Sequence, residues 1–146
     1  MSTIRRLYLY VVSFAALLVT ALGAITLLST LTDTLFQPTT LAGEATTQIA
    51  LALAMLVIGG PVWLLHWLVA ERVAARNATD RRAELRHVYL NLVLWVTFVA
   101  SLTSALPIVL WLLGTRDEGQ FVQPALSRLA VWSALWAYHW WIVSRE

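Results

Sequence analysis

The chain has 146 residues, of which 60% are hydrophobic and 12% are charged, and its formal net charge is +2. A soluble domain carries about 25% charged residues, so this composition excludes an ordinary soluble fold. The chain also has no cysteine, which excludes disulfides, iron–sulfur clusters, thiolate zinc sites and cysteine nucleophiles. The composition therefore predicts a small integral membrane protein.

Four apolar stretches reach or approach the length needed to cross a bilayer. A crossing helix needs roughly 20 apolar residues, because about 30 Å of hydrocarbon is covered at about 1.5 Å per residue. The predicted spans are, in chain order, residues 7–31, 49–69, 88–113 and 124–143. We therefore expect an all-α fold, a transmembrane four-helix bundle.

The fourth stretch is the least apolar, because Arg128 lies one turn inside its start. This side chain can snorkel to the outer interface. It can also pair with an acidic residue of the outer loops, namely Glu44, Asp117 or Glu118. Both explanations give Arg128 a structural role.

Arginine is distributed unevenly between the segments that connect the spans. Lys and Arg in short loops stay on the cytoplasmic side. Eight of the arginines fall on one side, namely Arg5, Arg6, Arg72, Arg76, Arg81, Arg82, Arg86 and Arg145. Only Arg116 and Arg128 fall on the other side. Both termini are therefore predicted to be cytoplasmic, in a bacterial inner membrane.

The Arg5–Arg6 pair before the first span is also typical of a cleavable secretory or twin-arginine signal. The apolar run that follows covers residues 7–31, whereas the apolar core of a signal peptide has roughly 7 to 15 residues. We therefore expect this segment to remain in the mature protein.

The two halves of the sequence are similar to each other, which predicts a tandem repeat. The starts of spans one and three match at an offset of 81 residues, Arg5, Tyr8 and Leu9 against Arg86, Tyr89 and Leu90. The ends of spans two and four match at an offset of 73 residues, Trp63, His66, Trp67 and Arg72 against Trp136, His139, Trp140 and Arg145. The predicted units are residues 1–80 and 81–146. Because each unit has two spans, both units enter the membrane from the same side, as parallel repeats do.

Small residues recur at four-residue spacing in the first and third spans, at positions that the repeat matches. They are Ala16, Thr20 and Ala24, and Thr97, Ser101 and Ala105. Such spacing lets transmembrane backbones approach closely, so we expect these two helices to pack together near a pseudo-twofold axis. The alternative is that small residues are simply common in membrane helices.

Two motifs give the sequence a family resemblance. The segment RRLYLY at residues 5–10 opens one helix, and PVWLLHW at residues 61–67 closes the next, before an Arg-rich turn and a second Tyr-Leu helix. In these motifs the chain resembles a bacterial integral-membrane domain family of unknown function made of repeated transmembrane helices. The second closing motif, YHWW at residues 138–141, is degenerate. The resemblance implies the fold and no catalytic residue.

The three histidines, His66, His87 and His139, are predicted to lie toward one face of the membrane. Imidazole is a common metal ligand, including to haem iron. His66 and His139 could therefore bind a haem-type or chlorophyll-type tetrapyrrole, with Trp67 and Trp140 packed on the macrocycle. The alternative is an interfacial role, because His and Trp are both stable where hydrocarbon meets headgroups. No catalytic residue and no separate metal site are predicted, since the spans contain no Asp or Glu.

The connection between spans two and three is rich in arginine, interspersed with acidic residues. Membrane topology alone explains this charge, so nucleic acid is not predicted as a partner. A second role is binding of anionic lipid headgroups. The arginines concerned are Arg72, Arg76, Arg81, Arg82 and Arg86.

The leading hypothesis for function is a non-catalytic accessory or scaffold subunit that docks with other subunits of a larger membrane complex. The outer loops of about 10 to 17 residues are too short for a folded domain, and eight Trp exceed what interfacial belts require. The alternative is a tetrapyrrole-binding subunit of a respiratory or photosynthetic complex. A small channel or transporter is a weaker alternative, because proton coupling usually needs an ionisable chain at depth.

Overall fold

The computed structural model describes residues 2–36, 42–76, 84–114 and 122–145. These residues form four α-helices and no strand. The helices are α1 (Thr3–Phe36), α2 (Ala42–Arg76), α3 (Glu84–Leu112) and α4 (Val122–Val143). The prediction of an all-α fold with four helices is confirmed.

Three of the four helices, α1, α2 and α3, are long and apolar enough to cross a membrane. Helix α4 has 22 residues, which is about 33 Å at the helical rise and sufficient in length. Its composition is less apolar, because it contains Arg128, His139 and several Trp. A crossing by α4 therefore stays a prediction.

The first predicted outer loop is shorter than expected. Helix α1 continues to Phe36 and α2 begins at Ala42, so helix replaces most of the predicted connection. The hydroxyls of Thr32 and Thr34 donate to carbonyl oxygens four residues earlier, at 2.8 and 2.7 Å. The sequence has no proline in this stretch before Pro38, and the residue preceding a proline disfavours helix.

The helices alternate in direction, so the starts of α1 and α3 lie with the ends of α2 and α4. We name this the arginine end, defined by Arg6, Arg72, Arg86 and Arg145. Ring contacts join all four helices there. They are Tyr8 with His66 at 5.6 Å, Tyr10 with Tyr89 at 5.2 Å, and Trp67 with His139 at 5.8 Å between centroids.

The opposite end, which we name the glutamine end after Gln48 and Gln123, is joined by amide and hydroxyl groups. The Thr30 hydroxyl of α1 donates to Gln48 Oε1 of α2 at 3.3 Å. The Gln123 amide of α4 donates to the Ser29 carbonyl at 2.8 Å and also to the Thr32 hydroxyl. Helix α1 is therefore hydrogen-bonded to both α2 and α4 at this end.

Helices α1 and α2 approach closely at two glycines. A Cβ atom at Gly23 would lie 2.8 Å from Met55 Cβ, and one at Gly59 would lie 2.9 Å from Thr20 Oγ1. Real Cβ atoms do not reach such distances, so only glycine allows this helix separation. Close approach through small residues is the usual means of association in membrane helices.

The six small residues predicted to pack α1 on α3 are buried or half-buried. Thr20 lies against Gly59 of α2. Ser101 of α3 accepts a hydrogen bond from Ser133 of α4 at 3.5 Å. These two residues thus have contacts between consecutive helices, and direct packing of the small residues between α1 and α3 stays a prediction.

Candidate functional site

A group of aromatic rings lies at the arginine end, and we name Trp67, Tyr89, Tyr138 and His139 the ring cluster. Tyr138 is 39% exposed, and the other three side chains are buried. The exposed fractions of Trp67, Tyr89 and His139 are 1%, 3% and 0%. Trp67 stacks on Tyr89 with centroids 5.3 Å apart, and His139 lies 6.3 Å from Tyr89. Residues from α2, α3 and α4 therefore meet in one place in the bundle interior.

The ring cluster contains polar atoms as well as apolar surface. The Trp67 indole N–H donates to the Tyr138 hydroxyl at 3.0 Å. Within the described residues, Tyr89 OH, His139 Nε2 and the nearby Trp63 Nε1 are buried without a hydrogen-bond partner. Buried polar atoms normally have a partner. Of these three, Trp63 Nε1 can donate, His139 Nε2 can accept, and the Tyr89 hydroxyl can do either.

The two histidines that the repeat matches make the same backbone hydrogen bond. Nδ1 of His66 lies 2.7 Å from the Val62 carbonyl oxygen, and Nδ1 of His139 lies 2.8 Å from that of Leu135. A carbonyl only accepts, so Nδ1–H is the donor in both rings. Each Nε2 atom is left as the acceptor, which is the arrangement that metal-ligating histidines use.

The surroundings of the two histidines differ. His66 is half-buried and its Nε2 lies 3.4 Å from the hydroxyl of Tyr8, whose side chain is 58% exposed. His139 is fully enclosed and contacts Tyr138 at 5.1 Å between ring centroids. A macrocycle therefore has more room beside His66 than beside His139.

The residues predicted for a tetrapyrrole do not all meet. The structure brings Trp67 to His139. Trp140 instead lies on the outer surface, 54% exposed, and stacks on Trp136 with centroids 5.6 Å apart. His87 is also exposed. Among the described residues, no group of three or more His, Cys, Asp or Glu side chains comes together.

An ion pair lies beside the ring cluster. Arg86, at the start of α3, donates to the carboxylate of Glu71 near the end of α2, and their side chains are 4% and 34% exposed. The Arg86 guanidinium carbon lies 6.0 Å from the centroid of the Trp67 ring. The pair therefore connects the buried rings with the surface at the arginine end.

The predicted headgroup arginines divide into three groups. Arg72 and Arg76 are exposed, as expected for solvated side chains. Arg86 is buried and paired with Glu71. Arg81 and Arg82 lie outside the described residues, as do Arg116, Asp117 and Glu118.

An aromatic groove of about 300 Å³ runs along the outer surface between α3 and α4. Its lining residues are Asn91, Leu94, Trp95, Phe98, Trp136 and Trp140. Trp95 is 67% exposed and Phe98 is 42% exposed. The groove therefore presents large apolar rings, with one amide among them, to whatever surrounds the bundle.

Sequence reasoning missed the importance of Glu71, Tyr89 and Trp95. Tyr89 carried a signal, because the repeat matches it with Tyr8, and Tyr8 lies beside His66 as Tyr89 lies beside His139. Glu71 and Trp95 carried no such signal. Their roles depend on which way the side chain points from the helix axis, and the sequence does not show that direction.

Comparison with known proteins gives one match. A family model described as a domain of unknown function (DUF5671) matches residues 6–134. No curated protein and no solved structure shows significant similarity to the chain. The match covers most of both predicted repeat units and agrees with the resemblance drawn from the two motifs.

Proposed function

The chain belongs to the family described as a domain of unknown function (DUF5671), and we propose that it is a non-catalytic accessory subunit of a membrane complex. It would be a multi-pass protein of a bacterial inner membrane with both termini in the cytoplasm. The family supplies no activity, so the support comes from the geometry of the described residues. The observation that carries the proposal is the aromatic groove between α3 and α4.

The rings of this groove lie deep for interfacial anchors. Trp95 is seven residues inside the predicted third span and Trp136 is seven residues before its helix ends at Val143. Seven residues correspond to about 10 Å along a helix. Interfacial Trp side chains sit at the headgroup level, so packing against a partner explains these two rings better than anchoring does.

The groove also holds an exposed amide. Asn91 is exposed on α3 and lines the groove beside Trp95. An amide in hydrocarbon without a hydrogen bond is unfavourable, and Asn side chains commonly bond across neighbouring membrane helices. We propose that a transmembrane helix of another protein fills the groove and places a polar side chain opposite Asn91.

The non-catalytic part of the proposal draws on three of the interior hydroxyls. Thr20, Thr97 and Ser104 each donate to the carbonyl oxygen four residues earlier, at 2.7, 2.7 and 2.6 Å. A hydroxyl bonded to its own helix is occupied by structure rather than held toward a substrate. The described helices thus offer a stable surface for a partner.

Photo-crosslinking in cells tests the proposed docking. A photoreactive amino acid at position 95 should give a crosslink to one membrane protein, identified by mass spectrometry. The matched control is position 111, because Trp111 is also exposed, at 46%, on α3 but does not line the groove. Asn91→Leu should weaken the crosslink from position 95. Equal products from both positions, or a crosslink only to a second copy of this chain, would overturn the proposal.

Tetrapyrrole binding is the second candidate function, and the shared Nδ1 hydrogen bond of His66 and His139 favours it. That bond fixes the tautomer in which Nε2 can bind iron or magnesium. His66 is the better ligand of the two because it is half-buried beside an exposed Tyr8. The gently purified protein should then show a Soret absorption band that His66→Ala abolishes. A folded, colourless protein would contradict this candidate.

A further inference from the structure

A groove of about 390 Å³ opens at the arginine end, where the last turns of α2 and α4 meet the first turn of α3. It is distinct from the aromatic groove and shares no lining residue with it. Its charged residues are Glu71, Arg86 and Arg145, and its largest apolar residues are Trp141 and Ile142. One groove thus combines charge with apolar surface.

The charges of this groove sum to one net positive charge. Arg86 and Glu71 form an ion pair, so their charges cancel at a distance. The Arg145 guanidinium lies over the Trp141 ring, with its central carbon 3.6 Å from the ring centroid. A single anion placed in the groove would therefore neutralise it.

We propose that this groove binds the headgroup of an anionic phospholipid, with the phosphate group between Arg145 and the Arg86–Glu71 pair. The guanidinium of Arg145 supplies planar N–H donors that match phosphate oxygens. Trp141, 49% exposed, provides the apolar wall along which the acyl chains leave, and the buried Ile142 lines the groove beside it. Inorganic phosphate is also an anion but uses none of this apolar surface.

Charge favours an anionic lipid over a zwitterionic one. A phosphatidylglycerol headgroup brings one negative charge and makes the occupied groove neutral. A phosphatidylcholine headgroup brings no net charge and leaves Arg145 uncompensated. A basic residue close to an anionic headgroup contributes to its binding. Among the groove's described lining residues, Arg145 is the cation outside the ion pair, so its loss should be measurable.

The inference rests on the membrane placement in the proposed function but not on the accessory role. Arg145 is the residue to change, because it is exposed near the C-terminus and its loss leaves the buried ion pair intact. Arg5 is the matched control. It is exposed at the same end of the bundle and carries the same charge, but it does not line the groove.

Native mass spectrometry of the full chain in detergent measures the binding, with phosphatidylglycerol, phosphatidylcholine or inorganic phosphate added. We expect phosphatidylglycerol to bind most tightly and inorganic phosphate not to compete at equal concentration. Arg145→Gln should weaken phosphatidylglycerol binding about fivefold, and Arg5→Gln should leave it within about twofold of the unmodified chain.

Three results would overturn the proposal. Equal losses in the two arginine variants would indicate diffuse attraction to the arginine end. Equal binding of the two lipids would remove the role of charge, and effective competition by inorganic phosphate would indicate a phosphate site without lipid. The crosslink from position 95 tests the accessory role separately, because position 95 lies in the aromatic groove. Loss of lipid binding with that crosslink intact would therefore contradict only the lipid proposal.

Discussion

Trp67 of α2 stacks on Tyr89 of α3, with ring centroids 5.3 Å apart and an angle of 29° between the rings. The contact lies between helices that are consecutive along the chain but belong to different predicted repeat units. Trp67 also donates to Tyr138 of α4. This one side chain therefore joins three helices at the arginine end.

Trp67→Ala should destabilise the fold strongly. The side chain is 1% exposed, and truncation of a buried Trp usually costs about 3–5 kcal/mol. Trp111→Ala is the control, since Trp111 is 46% exposed and should cost less than about 1 kcal/mol. Thermal unfolding of the purified protein in detergent measures both. Equal effects would mean that Trp67 is not a central packing residue.

The Arg86–Glu71 pair should give an asymmetric result. Removing one partner of a buried pair costs about 3–5 kcal/mol, less where the remaining charge reaches water. The Arg86 side chain is 4% exposed and that of Glu71 is 34% exposed. Glu71→Leu removes the carboxylate that neutralises the more buried charge, so it should destabilise more than Arg86→Leu. The double variant should be more stable than Glu71→Leu. Denaturant unfolding of the two single variants and the double variant measures this, and a double variant whose loss in unfolding free energy is the sum of the two single losses would contradict the pairing.

Adjacent glycines on α2 should respond to alanine with different costs. A Cβ atom at Gly59 would lie 2.9 Å from Thr20 Oγ1 and 3.1 Å from its backbone nitrogen, whereas one at Gly60 would meet no atom within 4 Å. Gly59→Ala should therefore cost about 1–3 kcal/mol through overpacking. Gly60→Ala should change stability by less than about 1 kcal/mol, because the higher helix propensity of alanine is opposed by the restriction that Pro61 places on the residue before it. Melting temperatures that fall equally in the two variants would argue against the close approach of α1 and α2.

The topology prediction is tested at the end of the chain. A fluorescent reporter fused after Glu146 should be active in the cytoplasm if four helices cross the membrane. A periplasmic phosphatase fused there should be inactive. The opposite pattern would mean that only three helices cross, in which case α4 lies outside the hydrocarbon.

Arg128→Leu tests how α4 tolerates its charge. Arg128 is exposed near the start of α4, so the substitution should leave the yield of folded protein unchanged or raise it. Gel filtration of the detergent-purified variant measures that yield. A large loss of folded protein would show that Arg128 has a partner on which assembly depends.

The sequence predicts the helices well because length and apolar composition are enough to define them. It does not predict which side of each helix faces inward. In a water-soluble bundle the apolar side marks the interior, but here lipid-facing and interior residues are both apolar. Leu17 and Leu22 illustrate this, since they share α1 but are 1% and 49% exposed.

The same limit applies to the candidate sites. Arg72 and Arg86 look alike in the sequence, yet one is exposed and the other is buried in an ion pair. His66 and His139 are matched by the repeat and share a backbone hydrogen bond, but only His139 is enclosed. Local spacing accounts for the shared bond, whereas burial depends on neighbouring helices that no local pattern specifies.

The hydrogen bonds from Gln123 to Ser29 and Thr32 bear on the order in which the bundle is assembled. A ribosome completes α1 long before α4, so the hydrogen-bond acceptors on α1 already exist when Gln123 emerges. The helix with the weakest apolar character thus arrives last, at a surface already formed by its predecessors. Helix α4 can then fold by packing against helices that are already formed, and it does not need to insert into the membrane as an isolated segment.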